Sequence, residues 1–129
     1  WDGSGVTGGA WGCDLGEGRC VALGCGGQAP GPRYGPAVAA GASAVYVHGG
    51  ARLPGTAAEP QGLAAVHRLT PAAAAEGGEA CAWDAVAAAA PDPGRHEHTA
   101  AVAGGRLVVA GGHASAGGEH PQLRALSVE

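Results

Sequence analysis

The chain has no Lys, Asn, Phe, Ile or Met among its 129 residues. Without Lys there is no P-loop, whose ammonium must reach the β- and γ-phosphates. The cations are seven Arg against eleven Asp and Glu, a formal net charge of −4 with no basic block. A surface that tracks a phosphate backbone, and with it direct nucleic-acid binding, is therefore not expected. No apolar run approaches the ~18 residues of a membrane span, so no membrane insertion is expected, and no charged and apolar leader opens the chain. The missing initiator Met is what a piece of a larger protein would show. Large apolar side chains are scarce, and much of the 46% hydrophobic content is alanine. The core must rest on Val, Leu, Trp and Tyr. Cysteine is sparse too. Cys13, Cys20, Cys25 and Cys81 are spaced 7, 5 and 56 apart, with no C-x-x-C. The expectation is free, partly buried thiols in a reducing, intracellular and cytoplasmic setting.

What the chain does have is 26 Gly and 9 Pro, which call for many turns and short strands rather than long helices. Residues 95–112 read R-H-E-H-T-A-A-V-A-G-G-R-L-V-V-A-G-G: two apolar runs about a Gly-Gly turn, closed by a second Gly-Gly. That pattern predicts a β-hairpin. Residues 33–50, R-Y-G-P-A-V-A-A-G-A-S-A-V-Y-V-H-G-G, repeat it; 95 less 33 and 111 less 49 both give 62. Residues 63–69 (L-A-A-V-H-R-L) are echoed by 122–128 (Q-L-R-A-L-S-V), with Leu63 and Leu123 60 apart, and Cys20 and Trp83 open similar runs 63 apart. A period of 60 to 63 shared by these landmarks identifies an array of structural repeats.

Taken in order, residues 10–15 and 19–23 predict two short strands, and residues 24–32 a Gly/Pro linker that forbids helix. Strands follow at 34–39, 44–48, 63–69 and 82–86. Between the last two, residues 70–77 (T-P-A-A-A-A-E-G) carry an N-cap, an N1 proline and a closing glycine, predicting one or two helical turns. Strands at 99–103 and 107–110 form the second hairpin, and 122–128 returns as its third strand.

These residues resemble the kelch repeat. Arg95, His98-Thr99-Ala100, Gly111-Gly112 and Trp83 fit its pattern, as do Pro32-Arg33, Tyr46 and Gly49-Gly50 in the first copy, where Pro36 replaces the His. The opening C-D-L-G-E-G-R-C-V-A-L fits a third and fourth strand, although Cys20 occupies the Trp position. The resemblance implies an all-β fold of kelch-type β-propeller blades, each a four-stranded antiparallel sheet, in an incomplete propeller. Residues 1–32 would end a preceding blade and add a linker, 33–90 would form a complete blade, and 91–129 would form the first three strands of the next. Since a propeller closes with about four blades or more, the remaining blades are expected outside this segment. The period exceeds the family's ~50 residues, the excess falling in residues 51–62 and 71–80.

The resemblance also places Arg33 and Arg95 where blades meet the central axis, so that with Tyr34, His96 and His98 they would line a pocket for a protein or peptide partner. The other assignment is that each Arg ties down its own blade through carbonyls or an acid such as Asp92 or Glu97. Gly49, Gly50, Trp83, Gly111 and Gly112 are expected to be structural. His96 and His98 would share a strand face, near enough for a metal with His113 and His120. His98, however, is already accounted for by the repeat, and neither metal nor cofactor is expected.

Enzymatic motifs fare poorly. Gly3-Ser4-Gly5-Val6-Thr7-Gly8 satisfies G-x-G-x-x-G without a preceding strand or a following helix. His113-Ala114-Ser115-Ala116-Gly117 lacks the first glycine of a nucleophile elbow. No catalytic activity is expected in this segment. The expected function is a protein-interaction scaffold that engages a partner, or other domains of its own chain, through blade loops. The alternative is the non-catalytic kelch region of a multidomain enzyme, such as a tRNA wybutosine-synthesis methyltransferase.

Overall fold

The computed structural model describes residues 9–52, 61–71, 81–87, 94–114 and 123–128, and within them the chain is all-β. β1 (Trp11–Asp14) and β2 (Arg19–Ala22) form an antiparallel hairpin. After β3 (Cys25–Gly27) come β4 (Ala37–Ala40) and β5 (Val45–His48), the short pair β6 (Ala51–Arg52) and β7 (Gln61–Gly62), then β8 (Val66–Pro71) and β9 (Cys81–Val86). The second half holds β10 (Arg95–His96), β11 (Thr99–Ala103), β12 (Arg106–Ala110), β13 (His113–Ala114) and β14 (Arg124–Ser127). The main sheet has the order β3-β9-β8-β5-β4, antiparallel except where β3 runs parallel to β9, and a second sheet has the order β11-β12-β14. No helix among the described residues is long and apolar enough to cross a membrane.

The period of 62 is a hydrogen-bonding period. Ala37 faces His48 and Ala40 faces Val45; 62 residues on, Thr99 faces Ala110 and Val102 faces Leu107. The bridge from Tyr34 to Ala51 likewise becomes His96 facing His113. The third strand shifts by less. Leu69 faces Val45 and Leu126 faces Leu107, an offset of 57. The sequence match of Leu63 with Leu123 is therefore out of register by three: continuing the β12–β14 ladder by one residue puts Leu123 at the position of Val66. A shorter connection in the second copy takes up the difference.

The two sheets stack with the same orientation. The covered face of the first carries Ala37, Ala39, Tyr46, His48 and Val66; that of the second carries Leu107, Val109 and Leu126, with Ala100 and Val102 packed alongside. Subtracting 62 from Leu107 and Val109 gives Val45 and Val47, which lie on the opposite face of β5 from Tyr46 and His48. One face of the first repeat thus packs on the other face of the second, as in stacked repeats whose units bury their apolar surface only against neighbours. Arg68 and Asp84, directly opposed on β8 and β9, join those two strands on their solvent-facing side with paired bonds of 3.1 and 2.6 Å. The hydrogen bond from Arg68 holds the Asp84 carboxyl below the ordinary carboxylate range.

Three sequence expectations change. The cysteines are not free: Cys13 pairs with Cys20 and Cys25 with Cys81. Cys13 and Cys20 face each other across the β1–β2 ladder, and Cys25 faces Cys81 across β3 and β9, so strand pairing brings together thiols whose spacing matches no motif. The inference of a reducing compartment loses its premise, since disulfides persist in oxidising ones. The linker at 24–32 contains β3, which the parallel ladder and the second disulfide hold in place. Thr70 and Pro71 belong to β8, with Pro71 at its end where a missing N–H is tolerated. The rest of the expected helical turn, 72–77, lies outside the described residues, as do Asp92, His120, Ser115 and the glycine motif at 3–8.

Candidate functional site

The two arginines hold equivalent positions and make the same bond. Arg33 Nη1 donates to the Gly49 carbonyl and Arg95 Nη1 to the Gly111 carbonyl, each at 2.9 Å. Each guanidinium reaches across its hairpin to the first glycine of its own pair, where the strand ends and the carbonyl leaves the ladder. Arg33 also donates Nε to Gly31 at 3.0 Å and is half-buried; burial, and then the Arg52 charge, lower its pKa. Arg95 is fully buried. Both arginines therefore serve backbone carbonyls.

Gly49, Gly50, Gly111 and Gly112 all hold positive φ. The amide of Gly50 donates to the Arg95 carbonyl at 2.9 Å, joining the repeats through the backbone. A second join is Glu97 N–H to the Gly35 carbonyl at 2.7 Å. Trp83 stands away from these glycines. It is half-buried beside β3, where its carbonyl accepts from the Gln28 amide at 2.8 Å.

His98 sits at the join. One of its ring nitrogens lies 2.8 Å from His48 Nδ1, with the rings edge to face at 4.9 Å. One ring must donate and the other accept, so this bond needs at least one neutral imidazole. His98 corresponds to Pro36 in the first copy, so its polar contact is particular to this junction.

The remaining sequence candidates form a row at the edge where β10 meets β13. The Tyr34 ring stands edge-on to His96 at 5.6 Å, and His96 lies 5.6 Å from His113, which it faces in the ladder. His113 Nε2 lies 3.7 Å from Glu97 Oε2, both side chains being about half exposed. Tyr34, His96, Glu97 and His113 thus offer an aromatic edge, imidazole nitrogens and a carboxylate in one strip. The sequence pattern points to Tyr34 and His96 and assigns Glu97 no recognition role. The signal was there: 97 less 62 gives Gly35, and Glu97 holds φ +55°, close to the +57° of that glycine. A non-glycine residue in the left-handed region at a repeat position otherwise filled by glycine is a departure that functional sites commonly carry.

Among the described residues no group of three or more His, Cys, Asp or Glu is arranged to hold a metal ion. No protein-family model matches the chain, and no curated protein matches its sequence.

Proposed function

We propose that the chain is a segment of a kelch-type β-propeller that acts as a protein-interaction scaffold and engages a protein or peptide partner along the strip of Tyr34, His96, Glu97 and His113. The observation that carries the reading is the 62-residue offset shared by both hairpin ladders, both Arg-to-glycine bonds and the bridge at Tyr34 and His96. Repetition at that level, with face-to-opposite-face stacking, is what adjacent blades require. In this reading Arg33 and Arg95 act as anchors. They fix the glycine turns against the strand that follows each Arg, and His98 fixes one repeat against the next. Recognition falls to the strip they support. Rigid aromatic and imidazole side chains offer contact area at low entropic cost, and Glu97 pairs with a cationic or hydrogen-bond-donating group of the partner.

The test is selection of binding peptides from a random displayed library on the folded, oxidised chain, followed by affinity measurement on Tyr34→Ala, His96→Ala and Glu97→Ala. Each variant is expected to weaken selected peptides by about tenfold with the thermal midpoint little changed. Peptides bound equally by all three variants would refute the strip as the recognition site.

A further inference from the structure

The stacking of the two repeats leaves two unlike faces partly open, one at each end, and each carries an exposed apolar side chain whose internal counterpart is covered. On the outer face of the first repeat, Val38 is 59% exposed; its equivalent 62 residues on, Ala100, packs against the core. On the outer face of the second repeat, Leu123 is 71% exposed; its equivalent by the β14 register, Val66, is 1% exposed. Each of these apolar side chains occupies a position that the neighbouring repeat covers elsewhere in the same molecule.

The first outer face is also shaped. Val38 and Val47 form the floor of a cleft of about 580 Å³ walled by Leu23, Pro30, Pro36 and Trp83. The face that would enter it by analogy is narrower than its internal model. Where the first repeat inserts Tyr46 and His48, the second presents Val108 and Ala110 at the same ladder positions.

We propose that a second copy of this chain docks head to tail, its Val108, Ala110 and Leu123 face seated in the Val38 and Val47 cleft, repeating between molecules the contact that joins the two repeats within one. The interface is heterologous, so it propagates until rotation closes a ring. The inference uses the stacking geometry alone and stands whether or not the strip at Tyr34 and His96 binds a partner.

Sedimentation velocity on the oxidised full chain tests it. The wild type is expected to form oligomers as concentration rises to about 100 µM. Val38→Glu and Leu123→Glu, both at exposed positions, should each weaken association by about a hundredfold, since each buries an unpaired charge. Because each variant spoils one face and keeps the other, an equimolar mixture should recover a single-interface dimer that neither forms alone, whereas a self-complementary interface would not be rescued. A wild-type chain that stays monomeric over the whole range overturns the proposal, whatever the variants do, and leaves the faces to further repeats of a longer chain. Failure of the mixture to dimerise, with both variants retaining the wild-type circular dichroism spectrum, also overturns it.

Discussion

Arg95 donates to the Gly111 carbonyl at 2.9 Å from a side chain with no exposed surface, and Arg33 makes the equivalent bond to Gly49 from a half-buried one. The difference in burial sets the difference in cost. Arg95→Ala leaves a cavity and deprives a carbonyl of its charged donor, and should lower unfolding free energy by about 3 kcal/mol. Arg33→Ala, where water can replace the guanidinium, should cost about 1 kcal/mol. Urea titration of both variants checks the order, which equal losses would contradict.

Gly112 and Gly104 both hold positive φ, but only one is crowded. A Cβ on Gly112 would lie 2.6 Å from the His96 carbonyl oxygen and 2.7 Å from His98 Cβ, whereas one on Gly104 meets nothing within 4 Å. Gly104→Ala should cost about 1 kcal/mol, the left-handed penalty alone. Gly112→Ala adds a displacement of the junction and should cost about 3 kcal/mol or more. Thermal unfolding of the two variants separates the contributions.

The disulfides should differ in worth because they close different lengths of chain. Cys25–Cys81 spans 56 residues and Cys13–Cys20 spans 7. On loop-closure entropy, replacing the first pair by Ser should cost about 4 kcal/mol and the second about 2 kcal/mol. Denaturant midpoints of the two double variants decide the matter, and the first should also free β3, detected as faster amide exchange at residues 25–27.

The features legible in the sequence were those written in residue types with a fixed local consequence. Paired glycines end strands and Arg precedes them at a fixed distance, so hairpins at 37–48 and 99–110 followed from a period. The faces were not legible. With Ala and Val on both sides of β4, β11 and β12, alternation carries little contrast there, and only packing reveals that Tyr46 of β5 is covered while its equivalent Val108 faces outward. The Cys25–Cys81 pair and β3 were hidden for a different reason. A three-residue strand, C-G-G, has no strand propensity of its own and exists because β9, far along the chain, pairs with it. Glu97 is not legible because its distinction lies in a backbone angle, φ +55° where the equivalent Gly35 has +57°, which residue types do not display.

His67 gives a pH dependence with a definite sign. Burial, and then the Arg33 charge, lower its pKa below the ordinary 6.5. The unfolded chain therefore takes up a proton at a higher pH than the folded one. The stability linked to His67 is fully present above pH 6.5 and is lost as pH falls through 6.5 and on through the lower folded value. Thermal midpoints between pH 7.5 and 5 should fall less steeply for His67→Gln than for the wild type. Identical slopes would remove His67 from the account.

Glu97 joins stability to recognition in one residue. Its φ of +55° matches the +57° of Gly35 at the equivalent position, and the left-handed conformation costs a side-chain-bearing residue about 1–2 kcal/mol. Glycine would remove that penalty while adding freedom to the unfolded chain, so Glu97→Gly should raise stability by a net amount of about 0.5–1 kcal/mol. The same change deletes the carboxylate 3.7 Å from His113. If the strip recognises a partner, selected peptides should bind Glu97→Gly about tenfold more weakly even as its thermal midpoint rises. Glu97→Ala separates the two effects, since it keeps the backbone penalty and loses the carboxylate. It should lose the same affinity with no gain in stability. A chain stabilised by Glu97→Gly with undiminished binding would mean that Glu97 contributes nothing to recognition.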